Sequence, residues 1–514
     1  SGENVILGGS IEGDSSGGSV NASNEGSITT QGVNSAGFVA QSIGGGGGAT
    51  AKSDGLLSRL GGESSTTANS GGVIINNGAN IATAGTGSPA LMAQSVAGGG
   101  GYIAETTSQG SYDVTLAGKN LSSANSGKVS VTNRAERLDT LEHYSPALVA
   151  QSIGGGGGWS LLRSTPNAQL GSVSGGWQNA DEVEVINTSI ISTAEDYSAA
   201  GVAQSIGGGG GVTGNALGNV TLGASQTRSR LTSGNVVFSQ TGSIGTTGLN
   251  SVGLVVQSIG GGGGVAAEVL RDATLGQTSA DMSISNSGNV TFVGGGEIVS
   301  TQKNGSPSLV VQSIAGGGGW VGNVGENAQL GATFKGDAYS GEIDIVSNFG
   351  SIQTIGQNST GLIAQSVSGG GGYTGITKGS DLSLGATLSE ETSTIAGNVV
   401  VTNNSPISTS GVDSAGLLAQ SIAGGGGASS TSEGTKIGLG SVTDSQQQNI
   451  QANSGDVNLV NTGNISTVND GSAALLVQSI GGGGGYISQT NSGDSEYVIT
   501  VGSNGNIETI SGDI

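Results

Sequence analysis

Histidine is the side chain most often used for acid-base catalysis and metal binding, and this chain has one, His143. The chain has no cysteine, so His143 lacks a second histidine or a thiolate with which to form a zinc site. A serine triad would also depend on His143, and no G-x-S-x-G elbow stands between a strand and a helix. We therefore predict that His143 is a solvated loop residue and that the chain is not an enzyme.

Carboxylates could also do chemistry, but they are scattered, as at 181–184 (DEVE) and 389–392 (SEET). Neither group recurs as a pair that could act as acid and base, and neither matches a calcium-binding G-G-x-G-x-D repeat. We predict solvated loop charges and no cofactor, with room only for adventitious Ca²⁺.

Glycine runs satisfy the dinucleotide pattern G-x-G-x-x-G trivially. No helix is predicted after them, and the chain contains no G-K-[ST], so the pattern does not indicate a phosphate-binding loop.

The charge balance restricts the partners. The formal net charge is −22 with 14 basic residues, which form no cluster, so nucleic acid and anionic membrane surfaces are poor partners. No stretch of about 18 apolar residues predicts a membrane span, and the first residues do not resemble a signal peptide. The chain starts and ends in the middle of a repeat, so we expect it to be a window of a longer array, with any export signal outside it.

The dominant feature is a phrase such as SAGFVAQSIGGGGGA, at 35–49, which occurs nine times in the chain at nearly regular intervals. Seven positions are identical in all copies: a serine six residues before a glutamine, the glutamine, the serine after it, and four glycines. The glutamines are Gln41, Gln94, Gln151, Gln204, Gln257, Gln312, Gln365, Gln420 and Gln478. The first of the four glycines is Gly45, Gly98, Gly155, Gly208, Gly261, Gly316, Gly369, Gly424 or Gly482.

Short β-branched or alternating runs separated by Asn, Gly, Ser and Asp precede each glycine run, and a further run ending in Leu-Gly follows most of them. No helical period of 3.6 persists. This pattern predicts an all-β, elongated repeat β-solenoid of nine units of about 54 residues, in which stretches of variable length are surface loops. The predicted units form a single array, 1–514: 1–16 (partial), 17–70, 71–125, 126–180, 181–233, 234–287, 288–340, 341–396, 397–454, 455–510 and 511–514 (partial).

The glutamine lies in a strand that is apolar on both faces, which predicts a central layer. A buried amide needs hydrogen-bond partners, and stacked glutamines could supply them as a ladder. The ladder favours one large coil per repeat, because two coils of ~27 residues would separate equivalent glutamines by about 9.6 Å.

The glycine runs lack side chains, so successive runs could lie side by side as extended or polyproline II-like rows, packed against another layer. A Gly/Ser linker would have no reason to keep a constant length. We therefore predict that the runs are structural.

The residue after the glycines, the slot residue, is aromatic in five of nine copies. These are Tyr102, Trp159, Trp320, Tyr373 and Tyr486. One interpretation is that the rings cover bare glycine backbone; the other is that they form a row of rings that stack on glycans.

The motif N-x-G-x-I-x-T-x-G-x-x-S-x-G-L-V-A-Q-S-I-G-G-G-G-G resembles the repeat in passengers of large Gram-negative autotransporters (type V secretion). The resemblance extends over essentially the whole chain. It implies a β-helical passenger displayed on the cell surface through an outer-membrane β-barrel translocator that lies outside this sequence, often acting as an adhesin.

Four functions follow from these observations. The first is a non-catalytic extracellular structural or adhesive fibre that attaches to surfaces, cells or biofilm, with host glycans or proteins as partners. The second is a self-associating biofilm matrix filament, the third a phage tail-tip-like polyglycine adhesin, and the fourth a carbohydrate-active β-helix enzyme.

Overall fold

A computed structural model describes residues 5–7, 14–50, 57–62, 67–104, 113–118, 123–161, 167–171, 176–223, 230–276, 284–379, 381–388, 392–443, 449–490, 498–502 and 506–514. Every regular element in these ranges is a β-strand, and the strands pair in parallel across stacked coils. The expected all-β, solenoid-type fold is confirmed at this level. No described part of the chain forms a helix long and apolar enough to cross a membrane.

The outer sheet has 16 strands and is built from the β-branched runs that open each coil. Its side chains alternate between the interior and solvent, as in the buried-exposed pattern of Val73–Asn77, because successive residues of a strand point to opposite faces. The strands are Val20–Asn24, Ile28–Thr30, Val73–Asn77, Ile81–Thr83, Val129–Asn133, Arg137–Thr140, Val183–Asn187, Ile190–Thr193, Val236–Gln240, Ile244–Thr246, Val290–Thr301, Ile343–Thr354, Val399–Asn403, Ile407–Thr409, Val457–Asn461 and Ile465–Thr467.

The central sheet has nine strands that carry the AQSI-type segments. It is buried on both faces, as predicted: all six residues of Leu148–Ile153, for example, are buried. The strands are Phe38–Ile43, Leu91–Val96, Leu148–Ile153, Gly201–Gly207, Leu254–Gly260, Leu309–Ala315, Leu362–Ser368, Leu417–Ile422 and Leu475–Ile480.

The glycine sheet also has nine strands, each of which starts at the third glycine of a run. Glycine pairs with glycine across coils, as Gly263 does with Gly318. The strands are Gly47–Thr50, Gly100–Ile103, Gly157–Ser160, Gly210–Ala216, Gly263–Val269, Gly318–Val324, Gly371–Thr377, Gly426–Ser432 and Gly484–Thr490.

The leucine sheet has ten strands, nine of which end in a leucine. They are Val5–Leu7, Leu57–Leu60, Asp113–Leu116, Asn167–Leu170, Val220–Leu222, Ala273–Leu275, Ala328–Leu330, Asp381–Leu384, Lys436–Leu439 and Val498–Val501.

Two smaller sheets lie partly in stretches that the sequence predicts to be surface loops. That prediction is wrong for the described ends of these stretches, because they pair from coil to coil like the other strands. The six-stranded side sheet consists of Arg230–Thr232, Ile284–Asn286, Asp337–Tyr339, Thr392–Ile395, Asn449–Asn453 and Asn506–Ile510. The short sheet consists of Thr333–Phe334, Thr387–Leu388 and Val442–Thr443.

The register shows that one coil spans one repeat. Gln151 pairs with Gln94, the glutamine of the preceding repeat, on one side and with Gln204, the glutamine of the following repeat, on the other. Each coil therefore adds one strand to the central, glycine and leucine sheets, and two strands or one long strand to the outer sheet, which confirms the single-coil alternative.

Three apolar layers hold the four long sheets together. Residues such as Ile75 and Leu91 fill the space between the outer and central sheets. The slot residues pack against the central sheet, as Trp159 does beside Val149, and Leu116-type residues pack on the other side of the glycine sheet. The glycine sheet thus lies between the central and leucine sheets.

Candidate functional site

The nine glutamines form a continuous hydrogen-bonded ladder through the central sheet. Each amide Nε2 donates to the Oε1 of the glutamine on the next coil, from Gln41 to Gln478, over 2.6 to 2.8 Å. The seven from Gln94 to Gln420 are fully buried. A buried amide without partners would be costly, so this ladder accounts for the glutamine in every copy.

The serine that precedes each glutamine by six residues forms a second ladder, for which sequence reasoning assigned no role. The backbone N–H of Ser251, for example, donates to the Oγ of Ser306 on the next coil at 3.0 Å, and the same bond recurs from Ser35 to Ser472. The residue before each serine has a left-handed φ of 49 to 69°. The serines therefore fasten a sharp corner in every coil.

The serine after each glutamine closes the coil. Ser258 Oγ donates to the carbonyl of Gly234, where the outer-sheet part of the same coil begins, at 2.8 Å. It also accepts the N–H of Gly288 from the next coil at 2.8 Å. One hydroxyl thus connects two layers and two coils.

The glycine runs divide into a turn and a strand. The first two glycines have φ of 79 to 93° and the last two have φ of 128 to 151°, conformations that residues with a Cβ rarely adopt. The rows are therefore extended rather than polyproline II-like, because the polyproline II conformation has a negative φ. An added Cβ at Gly263 would lie 1.9 Å from the carbonyl oxygen of Gly318 on the next coil.

Four of the five aromatic slot residues are buried between the central and glycine sheets. Tyr102, Trp159, Trp320 and Tyr373 expose 1 to 3% of their surface; Tyr486, on the last coil, is half-buried. A sugar could not reach the faces of the buried rings, so this geometry argues against glycan stacking at these four positions. It fits the alternative in which the rings cover bare glycine backbone.

Removing a slot ring should therefore reduce stability rather than sugar binding. We expect Trp159→Ala to lower the free energy of unfolding by about 3 kcal/mol, because it deletes a buried indole. Trp177, which is 63% exposed, supplies the matched control, and Trp177→Ala should change stability by less than about 0.5 kcal/mol. Chemical denaturation measures both effects. If Trp159→Ala kept its stability but lost glycan retention, the packing interpretation would be contradicted.

Burial also governs how the slot tyrosines titrate. Tyr102 donates its hydroxyl to the carbonyl of Gly87 at 2.5 Å, and burial raises the pKa of Tyr102 well above its usual range. Burial likewise raises the pKa of Tyr373. Because the folded state keeps these phenols neutral, their contribution to stability is complete below the unfolded pKa of about 10 and is lost as the pH rises above it.

We therefore expect the free energy of unfolding to fall above about pH 10, by up to about 1.4 kcal/mol per pH unit for each such tyrosine. Absorbance at alkaline pH measures phenol ionisation. We expect Tyr102 and Tyr373 to ionise only when the protein unfolds. Tyr102→Phe should show a shallower alkaline loss than the wild type; an unchanged slope would contradict the assignment.

His143 lies beside two carboxylates at an exposed corner. Its Nε2 is 3.7 Å from Glu195 Oε2 and its Nδ1 is 3.8 Å from Asp196 Oδ2, with side chains 36 to 47% exposed. Calcium takes six to eight oxygen ligands, and this group of three residues supplies too few. The three side chains form a partly exposed group at this corner.

The carboxylates of the first group, 181–184, include two that form surface ion pairs with one lysine. Glu182 and Glu184 lie 3.4 and 2.9 Å from Lys128 Nζ, and all three side chains are 36% or more exposed. Of the second group, residues 389–391 lie outside the described part of the chain.

Two tyrosines at the coil corners form a feature that the sequence did not reveal. The rings of Tyr144 and Tyr197 stack with centroids 5.0 Å apart and planes 7° apart, and both residues have a left-handed φ, 57 and 59°. The Tyr197 hydroxyl donates to Glu268 Oε2, which also accepts from Asn215 at 3.1 Å. Each of these tyrosines directly precedes the serine that lies six residues before a glutamine, so the sequence could have marked the position. It could not have indicated the left-handed backbone.

Comparisons with protein-family models, curated proteins and solved structures gave no match for this chain.

Proposed function

We propose that the chain is the stalk of a non-catalytic extracellular fibre: nine units of about 54 residues, joined through stacked polyglycine segments, that carry an adhesive surface away from the cell. The proposed setting is the surface of a Gram-negative bacterium, with an autotransporter-type β-barrel translocator and with surface glycans or proteins as partners.

The observation that carries this proposal is the unbroken glutamine ladder. Eight consecutive hydrogen bonds link nine coils, so neighbouring coils hold each other in register. At about 4.8 Å per coil, the nine central strands span about 38 Å along the axis. A stiff spacer of adjustable length is what such an arrangement provides, since stacked repeats contact only their neighbours.

A deletion that keeps the register tests the architecture. Removing residues 205–257 joins Gln204 directly to Ser258 and deletes one coil. We expect the rod to shorten by about 4.8 Å while the remaining coils keep their fold, as measured by small-angle scattering and circular dichroism. Global unfolding would contradict independent stacking of coils.

An attachment assay tests the function. The array is displayed on bacterial cells through an unrelated anchor, and attachment to abiotic surfaces and to host cells is compared with display of the anchor alone. We expect increased attachment that grows with the number of coils. Attachment equal to that of the anchor alone would contradict the adhesive role without affecting the fold.

Self-association into a filament is a second candidate, favoured by the solvent-facing side of the outer sheet. The second and fourth residues of its five-residue segments face outward, and Ile74, Val293, Val400 and Val460 among them are 38 to 50% exposed. Glu184 and Asp344 are the only charged residues in these two columns. Interface centres are depleted of charge, so this side is better suited to a second copy than to solvent alone.

Sedimentation distinguishes the two candidates. A filament-forming chain should sediment as oligomers, and Val293→Glu with Val400→Glu should return it to the monomer by like-charge repulsion. A wild-type chain that remains monomeric at high concentration would exclude lateral association through this face.

A further inference from the structure

One of the three tryptophans is exposed to solvent. Trp177 is 63% exposed, whereas Trp159 and Trp320 are 2% and 1% exposed. Trp177 pairs by an isolated parallel bridge with Ser123 on the preceding coil, so the two side chains are direct neighbours along the fibre axis. A single exposed apolar side chain is ordinary on a protein surface. What surrounds the indole therefore decides whether it can bind a ligand.

Amide and hydroxyl side chains lie beside the indole. Trp177 and Asn179 share the outward face of their segment, because Gln178 between them is buried and side chains alternate along an extended chain. Asn179 Nδ2 donates to Asn125 Oδ1 on the preceding coil at 3.0 Å. Asn125 Nδ2 in turn donates at 2.9 Å to the Oγ of Ser123, the bridge partner of Trp177. These contacts connect four residues into one patch, the indole patch: Ser123, Asn125, Trp177 and Asn179.

The polar side chains of the indole patch are held in place along the fibre axis. The N–H of Asn125 donates to Asn69 Oδ1 at 2.9 Å, and Asn179 Oδ1 accepts from the N–H and the Oγ1 of Thr232 at 3.2 and 2.8 Å. An amide nitrogen carries two donors, and a hydroxyl can donate and accept, so Asn179 Nδ2 and Ser123 Oγ can bond to a ligand as well. Because these groups are already positioned, binding a ligand costs little further ordering.

The composition of the indole patch restricts the ligand. A flat apolar ring beside groups that both donate and accept hydrogen bonds suits a molecule with an apolar face and hydroxyls around its edge, which is the form of a pyranose. A nucleobase would also stack on the ring, but the net charge of −22 disfavours nucleic acid. Arg230 begins the side-sheet strand on the next coil, and its guanidinium can only donate hydrogen bonds, which suits sugar oxygens and disfavours a cation.

We propose that the indole patch is a carbohydrate-binding site, in which one face of a neutral pyranose ring stacks on Trp177 and the hydroxyls of the sugar bond to Ser123 and Asn179. The proposal rests on the adhesive role proposed above and gives it a ligand class and a location. It also separates glycan contact from the slot residues, four of which are buried.

Tryptophan fluorescence tests the site directly, because acrylamide reaches an exposed indole more readily than a buried one. The purified chain is titrated with the neutral hexasaccharides cellohexaose, maltohexaose, mannohexaose and chitohexaose. We expect at least one of them to lower the quenching constant of the exposed indole, Trp177, and to shift its emission. If none of the sugars protects Trp177 from acrylamide, the proposal is wrong.

Variants show whether a sugar that binds does so at the indole patch. Titration calorimetry with that sugar should show a dissociation constant at least about tenfold higher for Trp177→Ala than for the wild type, whereas Trp177→Tyr, which keeps a ring, should lose less. Leu141→Ala, at a position that is 53% exposed, is the matched control and should bind as the wild type does. Equal affinities for the wild type and folded Trp177→Ala would overturn the proposal.

Cell-surface display separates failure of the site from failure of the adhesive role. We expect Trp177→Ala to reduce the attachment of the displayed array. If the wild-type array attaches but no sugar protects Trp177 in solution, the site is wrong and the adhesive role stands. If the wild-type array attaches no better than the anchor alone, the adhesive role is wrong, and protection of Trp177 in solution still decides the site.

Discussion

Gly263→Ala should destabilise the solenoid by about 4 kcal/mol. Two costs combine: an L-residue at a φ of 139° is strained by about 1 to 3 kcal/mol, and overpacking adds a further ~1 to 3 kcal/mol. The added Cβ would lie 1.9 Å from the Gly318 carbonyl oxygen, which is backbone bonded into the next coil and cannot rotate away. Coils about 4.8 Å apart have no room for the methyl group.

Gly245→Ala is the matched control for this prediction. Gly245 lies in the outer-sheet strand Ile244–Thr246, and a Cβ built there meets nothing within 4 Å. Alanine at this position should be neutral or stabilising by up to about 1 kcal/mol, because it restricts the unfolded chain. Denaturation midpoints compare the variants, and amide hydrogen exchange locates the effect, since repeat arrays need not unfold in two states. Equal midpoints for the two variants would show that bare backbone is not required in the glycine sheet.

The repeat and its register could be predicted from the sequence because side chains carry that information. The same glutamine in every copy is explained if the glutamines contact each other across coils, and the ladder from Gln41 to Gln478 shows that they do. Alternation of apolar residues in runs such as Val73–Asn77 likewise predicts a half-buried strand, and the structure shows one.

The path of the chain through the glycine run could not be predicted, because a run of identical residues without side chains has no periodicity. Nothing in GGGG distinguishes Gly261 and Gly262, which turn, from Gly263 and Gly264, which pair in a sheet. The φ values that separate them are set by the layers on either side. The same limit applies to the corners, where Tyr197 adopts a left-handed φ that its residue type disfavours.

The candidate sites show the same division. The sequence indicated that five slot residues are aromatic, but not which side of the glycine strand they occupy. Burial of Trp159 and Trp320 follows from the order of the layers, which is a tertiary property. The contact of His143 with Glu195 and Asp196 likewise depends on the stacking of neighbouring coils.

Gln257→Glu should destabilise the solenoid by at least about 3 kcal/mol at pH 8, and the loss should shrink at pH 5. Gln257 is fully buried; it accepts from Gln204 at 2.8 Å and donates to Gln312 Oε1 at 2.6 Å. A carboxylate in its place would direct an oxygen, instead of an N–H donor, at Gln312 Oε1, and would bury an uncompensated charge. Leaving a buried charge without its partner costs about 3 to 5 kcal/mol.

The pH dependence of the stability loss shows whether Gln257→Glu acts by removing a hydrogen-bond donor and burying a charge, or only by disturbing the packing. Burial raises the pKa of the introduced carboxyl above its ordinary value of about 4.3, so the folded variant binds a proton that the unfolded chain releases. The variant is therefore closest in stability to the wild type below the carboxyl's pKa in the unfolded chain. Its loss of unfolding free energy grows as the pH rises, and levels off above the carboxyl's pKa in the folded protein. Between pH 5 and pH 8 the deficit can change by up to about 4 kcal/mol, at about 1.36 kcal/mol per pH unit.

Gln257→Met is the matched control, because it removes the same hydrogen bonds without adding a group that titrates. Its deficit relative to wild type should be the same at pH 5 and pH 8, whereas that of Gln257→Glu should differ, as measured by denaturation at both pH values. A protonated carboxyl can donate to Gln312 Oε1 as the amide does, and the methionine cannot. If both variants lost the same stability at both pH values, the ladder's hydrogen bonds would add nothing to stability beyond the packing of a side chain of this size, which would contradict the prediction.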